Sequence, residues 1–365
     1  MRKLTLIILL AVLCSCNGRQ NKANRKLSKS DSFSSSEIKT PAETIHGVVY
    51  FSVNNGLTWE NKSDGLPDSI NIALGAIAVS DNSLGIATKE KGVFLFNFQT
   101  NQWISIPTDK KIIESNPGPL IFFKDQIYLG TQNSGVFLSA DLGKNWEKRD
   151  SGLTNFTIRR FVEIDDKLYA GTNAGLYSFN EIENKWELEY GNSTMQVNGI
   201  TEFDESIYIG TNQGAFTTPN DRKEWKQVLA NRTLHNISSD ENTIYAMTYN
   251  ELLSSTNKGL TWENIQNGLP AELYTFNVIK NGNLLFAGQW DGVYRKNNSN
   301  EIWKSYSNGL PEKLAINNMI SYNGIIVVSG SERRLKRGMT TGKDEFKIKA
   351  ALNKQDSARP ANPGD

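Results

Sequence analysis

Apolar residues in this chain come in short runs that end on a small residue, and the runs recur. Ile127-Tyr128-Leu129-Gly130-Thr131, Leu168-Tyr169-Ala170-Gly171-Thr172 and Ile207-Tyr208-Ile209-Gly210-Thr211 are nearly one phrase. Looser versions stand at 84–88, 244–248, 285–289 and 325–329. A second β-rich run follows a glycine, as in Gly135-Val136-Phe137-Leu138 and Gly175-Leu176-Tyr177-Ser178. Runs of this length, bounded by Gly and Asn, read as hairpin strands with no helical period. Trp59, Trp103, Trp146, Trp186, Trp225, Trp262 and Trp303 then fall roughly 40 residues apart, a spacing typical of stacked supersecondary units. Each unit reads as four strands. Strand A is a stretch like Ile158 to Ile164, B the Tyr-x-Gly-Thr run, C the run after the glycine, and D carries the Trp. A single four-stranded meander leaves both faces wet, and arranging several around an axis buries them. The pattern predicts an all-β, seven-bladed β-propeller.

The order of the phrases fixes the closure. Trp59 has no strand B before it, and the run at Ile325 has no clear Trp after it. The segment 48–59 is therefore expected to supply strands C and D to a blade whose A and B strands come from 317–329. Such a composite blade joins the chain ends and removes an open sheet edge. Gly342-Lys343-Asp344-Glu345-Phe346-Lys347 faintly echoes Gly143-Lys144-Asn145-Trp146-Glu147-Lys148. The region 332–365 nevertheless reads as an irregular basic and polar tail, because Arg333-Arg334-Leu335-Lys336-Arg337 makes a poor strand C.

Three of the Trp phrases are well formed. They are Ser52-Val53-Asn54-Asn55-Gly56-Leu57-Thr58-Trp59, Ser139-Ala140-Asp141-Leu142-Gly143-Lys144-Asn145-Trp146 and Ser255-Thr256-Asn257-Lys258-Gly259-Leu260-Thr261-Trp262. The phrase resembles the Asp-box, or BNR repeat, of sialidases, sortilin-type receptors, some glycoside hydrolases and photosystem II assembly factor-like proteins, over about residues 46–331. By physical chemistry, Asn54, Asp141 and Asn257 can accept backbone N–H bonds within a C–D turn. Gly56, Gly143 and Gly259 can supply positive φ. Trp59, Trp146 and Trp262 would pack between blades. The resemblance implies that these turns lie opposite the family's active-site face, so their role is structural.

Upstream of the repeats lies an address. Arg2 and Lys3 precede an apolar stretch, 4–13, of signal-peptide length. Leu13-Cys14-Ser15-Cys16 resembles the bacterial lipobox, which implies cleavage before a lipidated Cys16; Cys14 fits less well, with Leu13 at the cleavage position. Residues 1–16 are thus read as a lipoprotein signal that attaches the chain to a membrane. Each buried CH₂ of the acyl chains contributes about 0.8 kcal/mol. Residues 17–45 are polar and non-periodic and read as a flexible tether. The region after Cys16 lacks an acidic cluster resembling a surface-export tag, which favours the periplasmic side of the outer membrane.

Composition narrows the chemistry. A net charge of +1 over 365 residues recruits no nucleic acid. The two cysteines, Cys14 and Cys16, leave no internal disulfide or thiolate metal site, and two histidines, His46 and His235, make no metal cluster. No metal, cofactor or catalytic residue is expected, and a monomer is. A sialidase would need an arginine triad and usually shows Arg-Ile-Pro in its first blade; this chain has no such phrase, and 70–107 contains no Arg. Asp165, Asp166, Asp204, Glu205 and Glu251 read as solvated acids, the first four in turns between strands A and B. Two B–C loops depart from their bland siblings: Tyr249-Asn250-Glu251 and Gln289-Trp290-Asp291. Arg159 and Arg160 open a strand A, so alternation should point one of them into the channel. Trp290, Asp291, Tyr249, Arg159 and Arg160 are therefore the candidate ligand-binding residues, with Trp290 alternatively filling a gap between blades. The chain reads as a non-enzymatic envelope propeller binding a protein or glycan. The rival reading is a glycan-cleaving hydrolase using paired carboxylates.

Overall fold

The computed structural model describes residues 48–219, 224–270, 275–297 and 301–332. Residues 1–47, including Cys14, Cys16 and His46, and the tail from 333 lie outside the described residues. Seven four-stranded antiparallel sheets form a seven-bladed β-propeller. The predicted closure is present. In blade 1, Val49–Ser52 and Glu60–Asn61 are strands C and D, while Leu314–Tyr322 and Ile325–Glu332 are strands A and B. The seam is an antiparallel ladder pairing Val49 with Ser329 and Ser52 with Ile326. Strands A of blades 2 to 7 are Ile72–Ser80, Pro117–Phe123, Ile158–Ile164, Val197–Phe203, Leu234–Ser239 and Asn277–Asn281. One short helix, Lys110–Glu114, interrupts the connection from blade 2 to blade 3.

Burial follows position in the blade. Strand B of blade 4, Lys167–Thr172, and of blade 5, Ser206–Thr211, are buried at every position after the first, because neighbouring blades cover both faces. The outermost strands are exposed, and four of them are only two residues long: Glu60–Asn61, Glu147–Lys148, Glu263–Asn264 and Lys304–Ser305. Short polar edges resist edge-to-edge pairing with other sheets. The Trp residues stand at the start of this edge. Trp103 and Trp186 lie within strand D, as the sequence predicts. The other five precede the strand by one residue, and for Trp59, Trp146 and Trp262 the tight C–D turn delays the ladder until after the indole.

Two repeated devices tie blade to blade. Trp59 Nε1 donates to the Tyr306 carbonyl at 2.7 Å, Trp103 to Lys62 at 2.6 Å and Trp146 to Pro107 at 2.8 Å. Trp186, Trp262 and Trp303 do the same to Arg149, Val228 and Ile265 at 2.6, 2.9 and 2.7 Å. Each bond reaches back to the preceding blade. The second device receives the Trp backbone: Trp59, Trp186 and Trp303 N–H donate to the Asn308, Ser151 and Asn267 carbonyls. Asp64-Gly65-Leu66, Ser151-Gly152-Leu153, Asn267-Gly268-Leu269 and Asn308-Gly309-Leu310 form one recurring turn after strand D. A Cβ on Gly152 would sit 2.1 Å from the Trp186 carbonyl oxygen, so only glycine allows that approach.

Candidate functional site

The antiparallel order places the B–C loops and the starts of strands A at one end of the ring, and the C–D turns at the other. At the C–D end the three turns are near copies. Ser52, Ser139 and Ser255 hydroxyls accept from the N–H of Gly56, Gly143 and Gly259 at 2.8, 2.7 and 2.9 Å. Asn54, Asp141 and Asn257 Oδ1 accept from the N–H of Thr58, Asn145 and Thr261 at 3.0, 2.9 and 2.9 Å. All three glycines have positive φ, from 75° to 82°. The Asn145 hydrogen bonds hold the Asp141 carboxyl below the usual carboxylate range. The acids between strands A and B serve as turn residues: Asp165, Asp166, Asp204 and Glu205 all adopt positive φ. Glu251, in a B–C loop, pairs with Arg232 at 2.6 Å.

At the opposite end lies a cavity of about 390 Å³ on the axis, and every blade contributes to its wall. Leu74, Pro119, Arg160, Asn198, His235, Phe276 and Asn317 come from blades 2, 3, 4, 5, 6, 7 and 1 in turn. Lys89, Arg159 and Arg160 are the cations of the lining, and none of the described lining residues is Asp or Glu. Both arginines reach the cavity, where strict alternation allows one. The cause is a β-bulge: the ladder skips from Ile158–Thr172 to Arg160–Gly171. The extra residue turns two consecutive side chains toward the axis. The same skip recurs at 197/199, 234/236 and 316/318.

The two guanidiniums differ in their surroundings. Arg159 is braced: its Nε donates to Asn198 Oδ1 and its Nη1 to Asn173 Oδ1 at 2.9 Å. Burial lowers its pKa. Arg160 Nε has no hydrogen-bond partner among the described residues. Burial, and secondarily the charge of Arg159, push the Arg160 guanidinium down to about 10, still cationic at neutral pH. His235 Nε2 donates to the Thr275 carbonyl at 2.5 Å. Burial pulls its imidazole down to about 4 against that bond, with Arg160 adding repulsion. It is neutral at physiological pH.

Of the sequence candidates, Arg159, Arg160 and Tyr249 share the cavity wall. Trp290 stands behind it, edge-on to the lining residue Phe276 at 4.8 Å. Asp291 turns back into its own blade and accepts from the Tyr294 hydroxyl at 3.0 Å, while its Oδ1 has no hydrogen-bond partner. Burial, and then that carboxylate, raise the Tyr294 pKa. The lining residues His235, Phe276, Asn198 and Asn317 are not among the sequence candidates. Their signal was present: they occupy the position of Arg159 in the sibling blades. Among the described residues, no group of His, Cys, Asp or Glu is arranged to hold a metal ion.

No family model and no curated protein matches the chain. Solved structures do share the fold. The extracellular domain of the putative one component system BT4673 from B. thetaiotaomicron matches with a TM-score of 0.50 and 17% identity, over 76% of this chain and 47% of that one. The chain thus spans about half the length of that relative. A structure described as YCF48 bound to D1 peptide matches with a TM-score of 0.57 and 8% identity, over 73% of this chain and 95% of that one. BamB from Moraxella catarrhalis matches with a TM-score of 0.50 and 14% identity, over 77% and 87%. At these identities the likeness is one of fold: this chain is a seven-bladed propeller similar to theirs.

Proposed function

We propose that this chain is a non-enzymatic, envelope-anchored binding propeller that takes a protein partner at the axial cavity. One observation carries the reading: the only wall built jointly by all seven blades, among the described pockets, is cationic and free of acids. Charge left uncompensated in a concave site is a mark of ligand recognition. Paired carboxylates facing one cleft are what a glycosidase needs, and this cavity offers none. The lipid anchor at Cys16 is part of the proposal and rests on the lipobox-like sequence. Two similar structures accord with it: one is a complex with a peptide, and another is an extracellular domain.

The test is site-specific photo-cross-linking in native membranes. A cross-linker at the exposed Tyr249 should give a discrete adduct, and one at the exposed Leu142 of the C–D end should not. Equal labelling from both ends, or none from Tyr249, overturns the binding end.

A further inference from the structure

We infer that the axial cavity is a receptor for a peptide carboxylate, read by Arg160. This deepens the binding reading above and rests on it. The argument begins with what Arg160 replaces. Its register position in blades 6, 7 and 1 is held by Asn236, Asn277 and Asn318. Each of those amides clamps the next blade. Asn236 Nδ2 donates to the Phe276 carbonyl at 2.9 Å, Asn277 to Asn317 at 2.9 Å and Asn318 to Ala73 at 2.9 Å. Blade 4 has a longer cationic side chain in that place, and it clamps nothing. Arg160 extends across the channel until its Nη1 lies beside Gly75 of blade 2, where an added Cβ would come within 2.9 Å.

A guanidinium whose Nε is buried without a partner is costly. Burying a charge without a partner is strongly unfavourable, and folded proteins ordinarily pair it. Here the titratable groups that act on Arg160 are its neighbour Arg159, which repels it, and the neutral His235. The braced Arg159 cannot swing away, because two asparagines hold it. The pocket therefore carries a standing positive charge that an entering anion would neutralise. A planar carboxylate matches the guanidinium fork with two parallel hydrogen bonds.

The wall beside the arginines decides between carriers. Ile72, Leu74, Pro119 and Ile158 flank them, an apolar setting for an aliphatic side chain next to the carboxylate. A sugar acid needs many donors and acceptors for its hydroxyls. The Asn198 amide is already committed to the Leu234 carbonyl at 2.6 Å, and the other polar lining side chains, Gln132, Tyr249 and Asn317, are spread over blades 3, 6 and 1. An acidic or free C-terminal peptide segment fits this wall better than a uronate does.

The experiment titrates the full chain with N-acetyl-leucine, N-acetyl-leucinamide and glucuronate at constant ionic strength. It follows the arginine Nε–H resonances and the melting temperature. N-acetyl-leucine should shift the Arg160 resonance and raise Tm, with the amide at least tenfold weaker. Arg160→Met should abolish the response while melting no lower than the parent, since the side chain holds nothing in place. Arg160→Lys should retain a weakened response. An equal response to the amide overturns the inference, as does a stronger one to glucuronate or a persistent one in Arg160→Met. The acid-versus-amide comparison needs no variant, so a misfolded substitution would not spare the idea. Cross-linking from Tyr249 that persists without any N-acetyl-leucine response would leave the binding end standing and remove the carboxylate. A carboxylate response without cross-linking would do the reverse.

Discussion

The two ends of the ring are built on opposite logics. At the C–D end, the same serine, the same Asn or Asp and the same glycine make the same bonds three times, within 0.2 Å of one another. At the B–C end the repeated element is a threonine. Thr88, Thr131, Thr172 and Thr211 hydroxyls donate to Gly92, Gly135, Gly175 and Gly214 carbonyls at 2.8 to 3.0 Å. The strand-A bulge and the Asn236, Asn277 and Asn318 clamps also recur there, and the remaining positions differ from blade to blade. Blade 7 has Gln289 where blades 2 to 6 have threonine, and Gln289 Nε2 bonds Thr275 instead, at 2.5 Å, leaving its Oε1 without a partner. Arg160 Nε and Asp291 Oδ1 share that condition. Repetition marks what the ring needs in every blade. Departure from the repeat at the B–C end marks what is needed once, and Arg160 Nε, Gln289 Oε1 and Asp291 Oδ1 are left there without partners among the described residues.

That contrast breaks most visibly if the Trp girdle proves dispensable. Trp186 is 2% exposed, stacks on Phe161 and bonds the preceding blade, so Trp186→Ala should cost about 3–5 kcal/mol. Tyr249→Ala, at the exposed cavity wall, should fall within about 0.5 kcal/mol of the parent. Urea denaturation of both variants measures the gap. Comparable losses would mean that the two ends are not divided between stability and recognition.

His235 gives the next largest effect, and its sign is fixed. In the folded chain its pKa lies near 4, and unfolded it returns to about 6.5, so the unfolded state binds more protons between those values. Stability should therefore rise with pH from 4 to 6.5 and level off above. The contribution is about 2–3 kcal/mol at most, since solvent reaches part of the ring. Denaturant midpoints across that window should flatten in His235→Gln. An unchanged slope would show that the cavity end holds its imidazole no differently from a surface histidine.

How much of this was legible follows the same division. The blade count and the shared blade 1 could be read because each strand B and each Trp recurs at a near-constant interval. The two arginines could be found but not aimed. Alternation assumes an unbroken ladder, and the bulge that turns both inward exists only in the pairing of Ile158 with Thr172 and Arg160 with Gly171. His235 was weighed only as a metal ligand and set aside, because a single histidine in sequence has no partner; its burial comes from Thr275, Phe276 and Arg160 of other blades converging on the axis. The Gly-Leu turn that receives the Trp backbone was different. Gly65, Gly152, Gly268 and Gly309 stand in four visible copies and were passed over beside the louder Trp phrase.

The smallest effect probes whether the C–D turns tolerate the Asp-to-Asn exchange that the sequence already contains. Asn257 Oδ1 accepts from the Thr261 N–H, and its Nδ2 donates to the Thr261 hydroxyl at 2.8 Å. A hydroxyl can reverse its role, donating to a carboxylate as readily as it accepts from an amide. Asn257→Asp should then be close to neutral, while Asn257→Ala, which loses the turn bonds, should cost about 1 kcal/mol. At Asp141 the facing group is the Asn145 amide, which donates to Oδ2 at 2.6 Å. An asparagine at 141 would set one NH₂ against the other unless Asn145 rotated. Asp141→Asn should therefore destabilise more than Asn257→Asp, and thermal melts of the two exchanges decide it. If they melt alike, the residue two places after the glycine does not select between Asp and Asn, and the near-identity of the three turns would owe more to the serine and glycine than to the carboxylate.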